Sequence, residues 1–271
     1  MPLDPLIVAT GIEAVLKAGA IQVAQFGRGI HVDKKGSIDL VTEVDVEVER
    51  RFRQMVNERF PEHRILAEEL GVETGGDSPY TWVFDPLDGT TNFAHGLPIF
   101  SSSLGLELNG QVVFGTVYDP MRRELFSAER GQGAFLNGVR LGVSAADRLL
   151  DAMLCTGFPY DIHQTRDEIV GLFGEFVGRA RAVRRLGSAA LDLCYVAAGR
   201  LDGFWEKRLK PWDTCAGALI AAEAGGTVTH WDGRPFQSRR DDLVASNGRI
   251  HSEMLGVIGD FETRRSGKRT D

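Results

Sequence analysis

Tyr80-Thr81-Trp82-Val83-Phe84 is an apolar run that ends abruptly in Asp85-Pro86-Leu87-Asp88-Gly89-Thr90-Thr91. A stretch this apolar and β-prone has to be buried as a strand, so the chain must carry two carboxylates out of its core at that strand's end. The proline between the acids is expected to stop the strand and fix a bend. Both carboxylates and the Leu87 carbonyl would then converge where hard, oxygen-seeking cations fit. Gly89 and Thr90 follow with backbone N–H groups at a helix start, a suitable cradle for phosphate. On this segment alone, the competing reading is that Asp85 and Asp88 are two ordinary turn acids.

The surrounding pattern alternates helices and strands. Asp4-Pro5 reads as a cap and first-turn proline for a long helix whose apolar face is Val8, Ile12, Val15, Gly19, Val23 and Phe26, ending before Gly27. Thr42 caps a second helix with Val44, Val48, Phe52 and Met55 on one face, closed by Phe60-Pro61. Ser103 to Leu108 meets Gln111 to Tyr118 across Asn109-Gly110, and a turn near Asp119-Pro120 leads to Glu124 to Ala128, so the middle is an antiparallel meander. Beyond it come strands near Met153 to Thr156 and Gly203 to Glu206, and helices over Thr165 to Val177, Ser188 to Ala198 and Thr214 to Ala224. This is a layered α/β pattern with no linker. Residues 1–150 form an N-terminal α+β region, 151–262 a C-terminal α/β region packed against it, and 263–271 a frayed tail without assigned function.

Composition narrows the function. With 43% hydrophobic residues the chain buries a large core, and its net charge of −7 gives no clustered basic footprint for nucleic acid. An anionic ligand therefore needs local positive charge from metal ions or helix termini. The N-terminus lacks the basic and apolar regions of a signal peptide, and no run of about 18 apolar residues occurs, so a cytoplasmic protein with no membrane contact is expected. Cys155, Cys194 and Cys215 sit far apart among apolar neighbours and are expected as buried, unpaired thiols.

Three further acidic positions have dull readings when taken singly. Glu68-Glu69 after Ile65-Leu66 would be solvated loop charges, Asp213 a helix cap, and Asp45 a first-turn acid favoured by the helix dipole. His95 and Cys215 read as packing residues. Arg179, Arg181, Arg184 and Arg185 read as an interface or solvated edge.

Taken together, the chain resembles the inositol monophosphatase family over nearly its whole length. The blocks that carry the resemblance are Asp39-Leu40-Val41-Thr42-Glu43-Val44-Asp45, Glu68-Glu69, Asp85 through Phe93, and Trp212-Asp213 with Ala216-Gly217. Arg185 through Asp192 and Gly199 through Glu206 are similar to the bacterial branch that acts on inositol monophosphates. The resemblance implies an αβαβα sandwich, a homodimer, and a lithium-sensitive, Mg²⁺-dependent phosphoric monoester hydrolase. It implies that Glu68, Asp85 and the Leu87 carbonyl hold one Mg²⁺, that Asp85, Asp88 and Asp213 hold a second, and that a weaker third sits near Glu68. It makes Thr90 and Glu68, with Asp45 supporting the Thr90 hydroxyl, the groups that activate water for in-line attack. It gives Asp88, Gly89, Thr90, Ser188, Ala189 and Glu206 to the substrate, and a mobile loop to Lys34 and Lys35. Physical chemistry agrees with the metals: carboxylates 4 Å apart repel by about 4 kcal/mol per pair at an effective dielectric near 20. Such a cluster makes sense with cations, and ligands without His or Cys favour Mg²⁺ over Zn²⁺. Within the same chemistry the alternatives are fructose 1,6-bisphosphate, histidinol phosphate and 3′-phosphoadenosine 5′-phosphate, although no base-stacking or basic pocket for a nucleotide is visible. The alternative of another class is a non-catalytic protein- or RNA-binding role on the same fold.

Overall fold

The structure, a computed structural model, describes residues 3–28, 32–34, 40–71 and 76–267. Lys35 and Asp39 lie outside the described residues, and Lys34 is described only by its backbone.

The first helix, α1 (Pro5–Gln25), starts where Asp4 accepts the Leu6 N–H at 2.9 Å and Pro5 occupies the first turn. A short ladder of β1 (Val32–Lys34) and β2 (Leu40–Thr42) leads to α2 (Glu43–Arg59). Then come β3 (Arg64–Ala67), β4 (Tyr80–Asp88), the five-residue α3 (Thr90–Ala94), β5 (Ser101–Leu108), β6 (Gln111–Asp119), β7 (Glu124–Glu129), β8 (Gly133–Leu136) and β9 (Val139–Arg140). The second half runs β10 (Met153–Thr156), α4 (Ile162–Val177), β11 (Ala182–Arg184), α5 (Ala189–Ala197), β12 (Gly203–Lys207), α6 (Pro211–Glu223), β13 (Thr227–Thr229), β14 (Asp242–Ser246) and α7 (His251–Gly267).

Among the described residues, β3 to β9 form a seven-stranded sheet in chain order, parallel at β3/β4 and antiparallel elsewhere. A five-stranded mixed sheet has the order β11-β10-β12-β14-β13. Helices α1 and α2 cover the outer face of the first sheet, α5 and α6 lie between the sheets, and α4 and α7 cover the far face of the second. This is the αβαβα sandwich that the resemblance implies.

Strand β4 explains how the carboxylates reach the middle layer. Side chains alternate across a strand. Trp82 and Phe84 pack toward α1 and α2, while Val83 packs toward α5 and α6, so Asp85 falls on the α6 side. The expected stop at Pro86 does not occur: β4 continues to Asp88, with a register shift against β5 between Asp85 and Asp88. A bulge absorbs the proline's missing donor. The Pro86 carbonyl is held by Gln22 Nε2 at 2.8 Å and Ser102 Oγ at 3.1 Å.

The Asn109-Gly110 hairpin forms as expected, with φ of 51° and 77°. The α1 face is shifted from the expected one. Ile7, Gly11, Ala14, Val15, Ala18, Gly19 and Gln22 are buried, whereas Val23 is 48% exposed. Small residues decide this, because a Cβ on Gly11 would stand 2.5 Å from the Phe114 ring and one on Gly19 2.5 Å from that of Tyr118. By length and mean composition α1 is apolar enough to cross a membrane, although Glu13 and Lys17 keep it from being an unbroken apolar run. Here that face packs on the sheet, while Glu13 pairs with Lys17 at 2.6 Å and with Arg59 at 2.8 Å. Of the expected tail, residues 263–267 continue α7, where Phe261 packs on Gly171 and Arg264 and Arg265 pair with Glu175 and Glu168, and residues 268–271 lie outside the described residues.

Helix α6 approaches the first sheet unusually closely. Gly105 and Gly115 are cross-strand partners, and a Cβ at Gly115 would lie 2.8 Å from the Ala216 carbonyl. One at Gly105 would overlap the Cys215 thiol. Gly115→Ala is expected to cost about 1–3 kcal/mol by overpacking, measured as a lower urea midpoint. The displaced α6 should also weaken any activity that needs Asp213.

Candidate active site

Four helix starts and the end of β4 meet in one place. In α2, Thr42 is the cap and Asp45 its reciprocal partner: Asp45 Oδ2 accepts from Thr42 N at 2.9 Å and from Thr42 Oγ1 at 2.5 Å. The other oxygen, Oδ1, lies 3.2 Å from Thr90 Oγ1, which also reaches the Leu87 carbonyl at 2.9 Å. Asp45 is fully buried. It is thus more than a first-turn acid, since one carboxylate closes a capping box and supports the Thr90 hydroxyl.

Gly89 precedes α3 with φ of 98°, a left-handed conformation that glycine adopts without strain. No side chain caps α3, so its first-turn N–H groups carry no side-chain acceptor. Asp88 is tied to α5: Oδ2 accepts from Ser188 Oγ at 2.5 Å and Ala190 N at 2.8 Å, and Oδ1 from Ala189 N at 3.2 Å. Asp85 accepts from Leu87 N at 2.9 Å. Asp213 is the third residue of α6 rather than its cap, and it accepts from Lys210 N at 2.6 Å. Glu68 follows β3 on a loop held by a residue that sequence reasoning missed. Buried Glu49 of α2 accepts from Glu69 N at 2.6 Å and Leu70 N at 3.0 Å.

Two adjoining cavities result. The first is lined by Glu68, Asp85, Leu87, Asp88, Thr90 and Asp213. The second is lined by Asp88, Gly89, Ser188, Ala189, Asp192 and Glu206. Every described residue expected at the site by number, apart from Asp45 behind Thr90, lines one or both.

The electrostatics of the carboxylates run in one direction. Burial, then the charges of Glu68, Asp88 and Asp213, pushes Asp85 well above the usual carboxylate range. Asp213 is likewise raised well above that range, first by burial and then by the charge of Glu68. Burial lifts Asp88 to about 6 even though its three α5 donors pull it down. The donor set fits hard cations: it is all oxygen, and bound positive charge would reverse each of these shifts. The fit is not a finished cage, since among the described residues no three His, Cys, Asp or Glu stand close enough to hold an ion as placed. Asp85, Asp88 and Asp213 each spend an oxygen on backbone N–H groups, which leaves them splayed around the cavity.

Beside the expected Glu206, the second cavity holds residues to which the sequence analysis gave no role at the site. Asp192 is buried one turn after the Ser188 cap, with Oδ1 unpartnered. Glu206 presses on Gly157, and burial and then Asp192 push it up to about 8. Phe158, Tyr160, Arg185 and Arg208 complete the wall, with Arg185 5.9 Å over the Phe158 ring. These are the aromatic and basic groups that were not visible as a pocket in sequence. The expected solvated edge is there: Arg179, Arg181, Arg184 and Arg185 are all exposed, with Arg179 paired to Glu175 at 2.5 Å and Arg181 to Asp151 at 2.9 Å, while Arg185 also lines the cavity. Cys215 is buried packing, as are free Cys155 and Cys194, whereas His95 is exposed.

A model of the inositol monophosphatase family matches residues 4–262. The chain belongs to the inositol monophosphatase family. It is 44% identical over 247 residues to the inositol-1-monophosphatase of Synechocystis sp., covering 91% of this chain and 86% of that one. It is 42% identical over 251 residues to Nus factor SuhB of Escherichia coli K12, covering 92% and 94%. In three dimensions it matches extragenic suppressor protein suhB of Bartonella henselae with a TM-score of 0.88, at 39% identity over 93% and 98% of the two chains.

The raised acids set a pH dependence for this family member. In the folded chain Glu206 holds its proton to about 8, against 4.5 ordinarily, so between those values the folded state binds more protons than the unfolded one. Stability therefore falls as pH rises through that window. In EDTA the melting temperature should drop from pH 5 to pH 8.5, and Glu206→Gln should flatten the slope.

Proposed function

We propose that this chain is a Mg²⁺-dependent phosphatase that hydrolyses myo-inositol monophosphate to inositol and phosphate. The observation that carries the proposal is the pair of adjoining cavities, one lined by carboxylates for cations and phosphate and one by polar groups for a polyol, with Asp88 shared. Glu68, Asp85, the Leu87 carbonyl, Asp88 and Asp213 would hold the two to three ions. When bound, Mg²⁺ neutralises phosphoryl oxygens, lowers the pKa of water and stabilises the departing oxygen.

The chain's own groups do the rest. The Thr90 hydroxyl has one proton and two acceptors, Leu87 O and Asp45 Oδ1, so its lone pairs are left to accept from the attacking water, and it can pass its own proton to Asp45 as it takes the water's. Glu68, on the same cavity wall, shares that work, and Asp45 positions Thr90 without touching substrate. Gly89 and Thr90 receive phosphoryl oxygens at the start of α3. On the polyol side, Ser188 Oγ, Ala189 N and Asp88 form one wall and Glu206 the other. Near neutrality Glu206 keeps its proton, so it can donate to one ring hydroxyl and accept from another.

A homodimer and a cytoplasmic location belong to this proposal and rest on the resemblance. A protein- or RNA-binding role has the Nus factor name of some relatives in its favour. The paired Arg179 and Arg181 speak against a basic surface for it.

Phosphate release from inositol 1-phosphate, fructose 1,6-bisphosphate, histidinol phosphate and 3′-phosphoadenosine 5′-phosphate, with Mg²⁺ and with EDTA, tests the reading. Metal-dependent preference for inositol 1-phosphate is expected, together with inhibition by millimolar Li⁺. Preference for the nucleotide would assign the Phe158, Tyr160 and Arg185 wall to a base. Release from none of them would shift the weight to the binding role. Asp85→Asn should lower turnover about 100-fold or more while leaving the melting temperature near wild type, because the amide oxygen keeps the Leu87 contact. Asp88→Asn should also destabilise, since its amide nitrogen would face N–H donors of α5.

A further inference from the structure

Arg208 follows β12 directly and has φ of 69°, a left-handed backbone that an L side chain adopts only at a cost. The other non-glycine residues of this kind among those described, Asn109, Arg123 and Asn137, lie in hairpin turns, where such a conformation closes the loop. Arg208 closes no hairpin. Its neighbour Lys207 points away, with Nζ 2.6 Å from Glu168 and 4.7 Å over the Trp231 ring. The twist at 208 turns the next side chain to the cavity side, where its guanidinium pairs with Asp161, the residue preceding α4.

The placement has a specific meaning for a phosphate ester. If phosphate occupies the carboxylate cavity and the polyol the other, the scissile P–O bond lies at their boundary. Five residues line both cavities: Asp88, Gly89, Tyr160, Arg208 and Asp213. Arg208 is the one cation among them. Lys210 borders only the carboxylate cavity, and Arg185 only the polyol cavity.

Resting on the phosphatase reading above, we infer that Arg208 is a further catalytic residue, whose guanidinium leaves Asp161 to donate to the ester's bridging oxygen and stabilise the charge that develops there. As the P–O bond breaks, its electron pair stays on the substrate oxygen. Water supplies the new oxygen on phosphorus, and the substrate oxygen ends as a hydroxyl carrying the proton equivalent that the water gave up. Arg208 keeps its own protons throughout and supplies charge alone. The strained backbone then has a use, because a relaxed conformation at 208 would not aim the side chain at the boundary.

The charge on the leaving oxygen is what a test has to vary. Turnover of inositol 1-phosphate and glycerol 2-phosphate, whose leaving groups are alkoxides, is compared with that of 4-nitrophenyl phosphate, whose leaving group needs little help. The comparison uses the wild type, Arg208→Gly and Arg208→Lys with Mg²⁺. Glycine accepts φ of 69° freely, so Arg208→Gly should melt at or above the wild-type temperature. Its kcat on the alkyl esters should fall about 100-fold with KM changed less than about threefold, while 4-nitrophenyl phosphate loses less than about threefold. Arg208→Lys should recover part of the alkyl-ester rate. Equal losses on all three esters, or no loss, would overturn the inference even with the phosphatase reading intact. A wild type that ignores inositol 1-phosphate but cleaves glycerol 2-phosphate would remove the inositol assignment, and the Arg208 comparison would be decided on the glycerol ester. A wild type inactive on all three would overturn both.

Discussion

The mutual repulsion of Glu68, Asp85, Asp88 and Asp213 is the constraint to which the rest of the molecule answers. Carboxylates do not gather at the end of a buried strand by themselves, and the three aspartates are each held by backbone donors. Asp88 takes the cap hydroxyl and two N–H groups of α5, Asp213 takes an N–H at the start of α6, and Asp85 takes one from its own bulge. The starts of α2, α3, α5 and α6 all face this region, so the positive ends of four helices share the task. The dipoles offset only part of the charge, and the acids remain raised. Under the proposed function, divalent cations would complete the balance.

Residues far from any ligand hold this arrangement in register. Gln22, buried in α1, reaches the Pro86 carbonyl and Ser102 and thereby fixes the bulge between the two aspartates of β4. Glu49 fixes the loop of Glu68 from α2 and is itself neutralised by Arg53 at 2.8 Å. The paired glycines under α6 set how far Asp213 stands from β4. Each of these acts through backbone position, and for this reason a substitution at such a site would change geometry before it changed charge.

Much of the fold was legible because its signals are local. Thr42 with Asp45, Asp4 with Pro5, and Asn109-Gly110 each determine a helix start or a turn within four residues. The short strands β11, β13 and β14 and the helix α7 were not legible, since their burial depends on partners far along the chain. The α1 face was misread because apolar side chains were weighed and close-packing glycines and alanines were not. In the site, Asp85, Asp88 and Thr90 lie within one motif and could be read. Glu49, Asp192 and Arg208 could not, because nothing near them in sequence tells that Glu49 meets the Glu69 amide or that position 208 is left-handed.

The site also draws on both ends of the chain. Asp45, Glu68, Asp85 and Asp88 precede residue 91, while the α5 donors and Asp213 arrive about a hundred residues later. During synthesis the first sheet can fold while β4 still ends in acids with no helix to receive them. That nascent half has the charge problem without the means to solve it. A ribosome-bound chain of this protein should therefore be most exposed to misfolding, and least helped by magnesium, until the stretch from Ser188 to Asp213 has emerged.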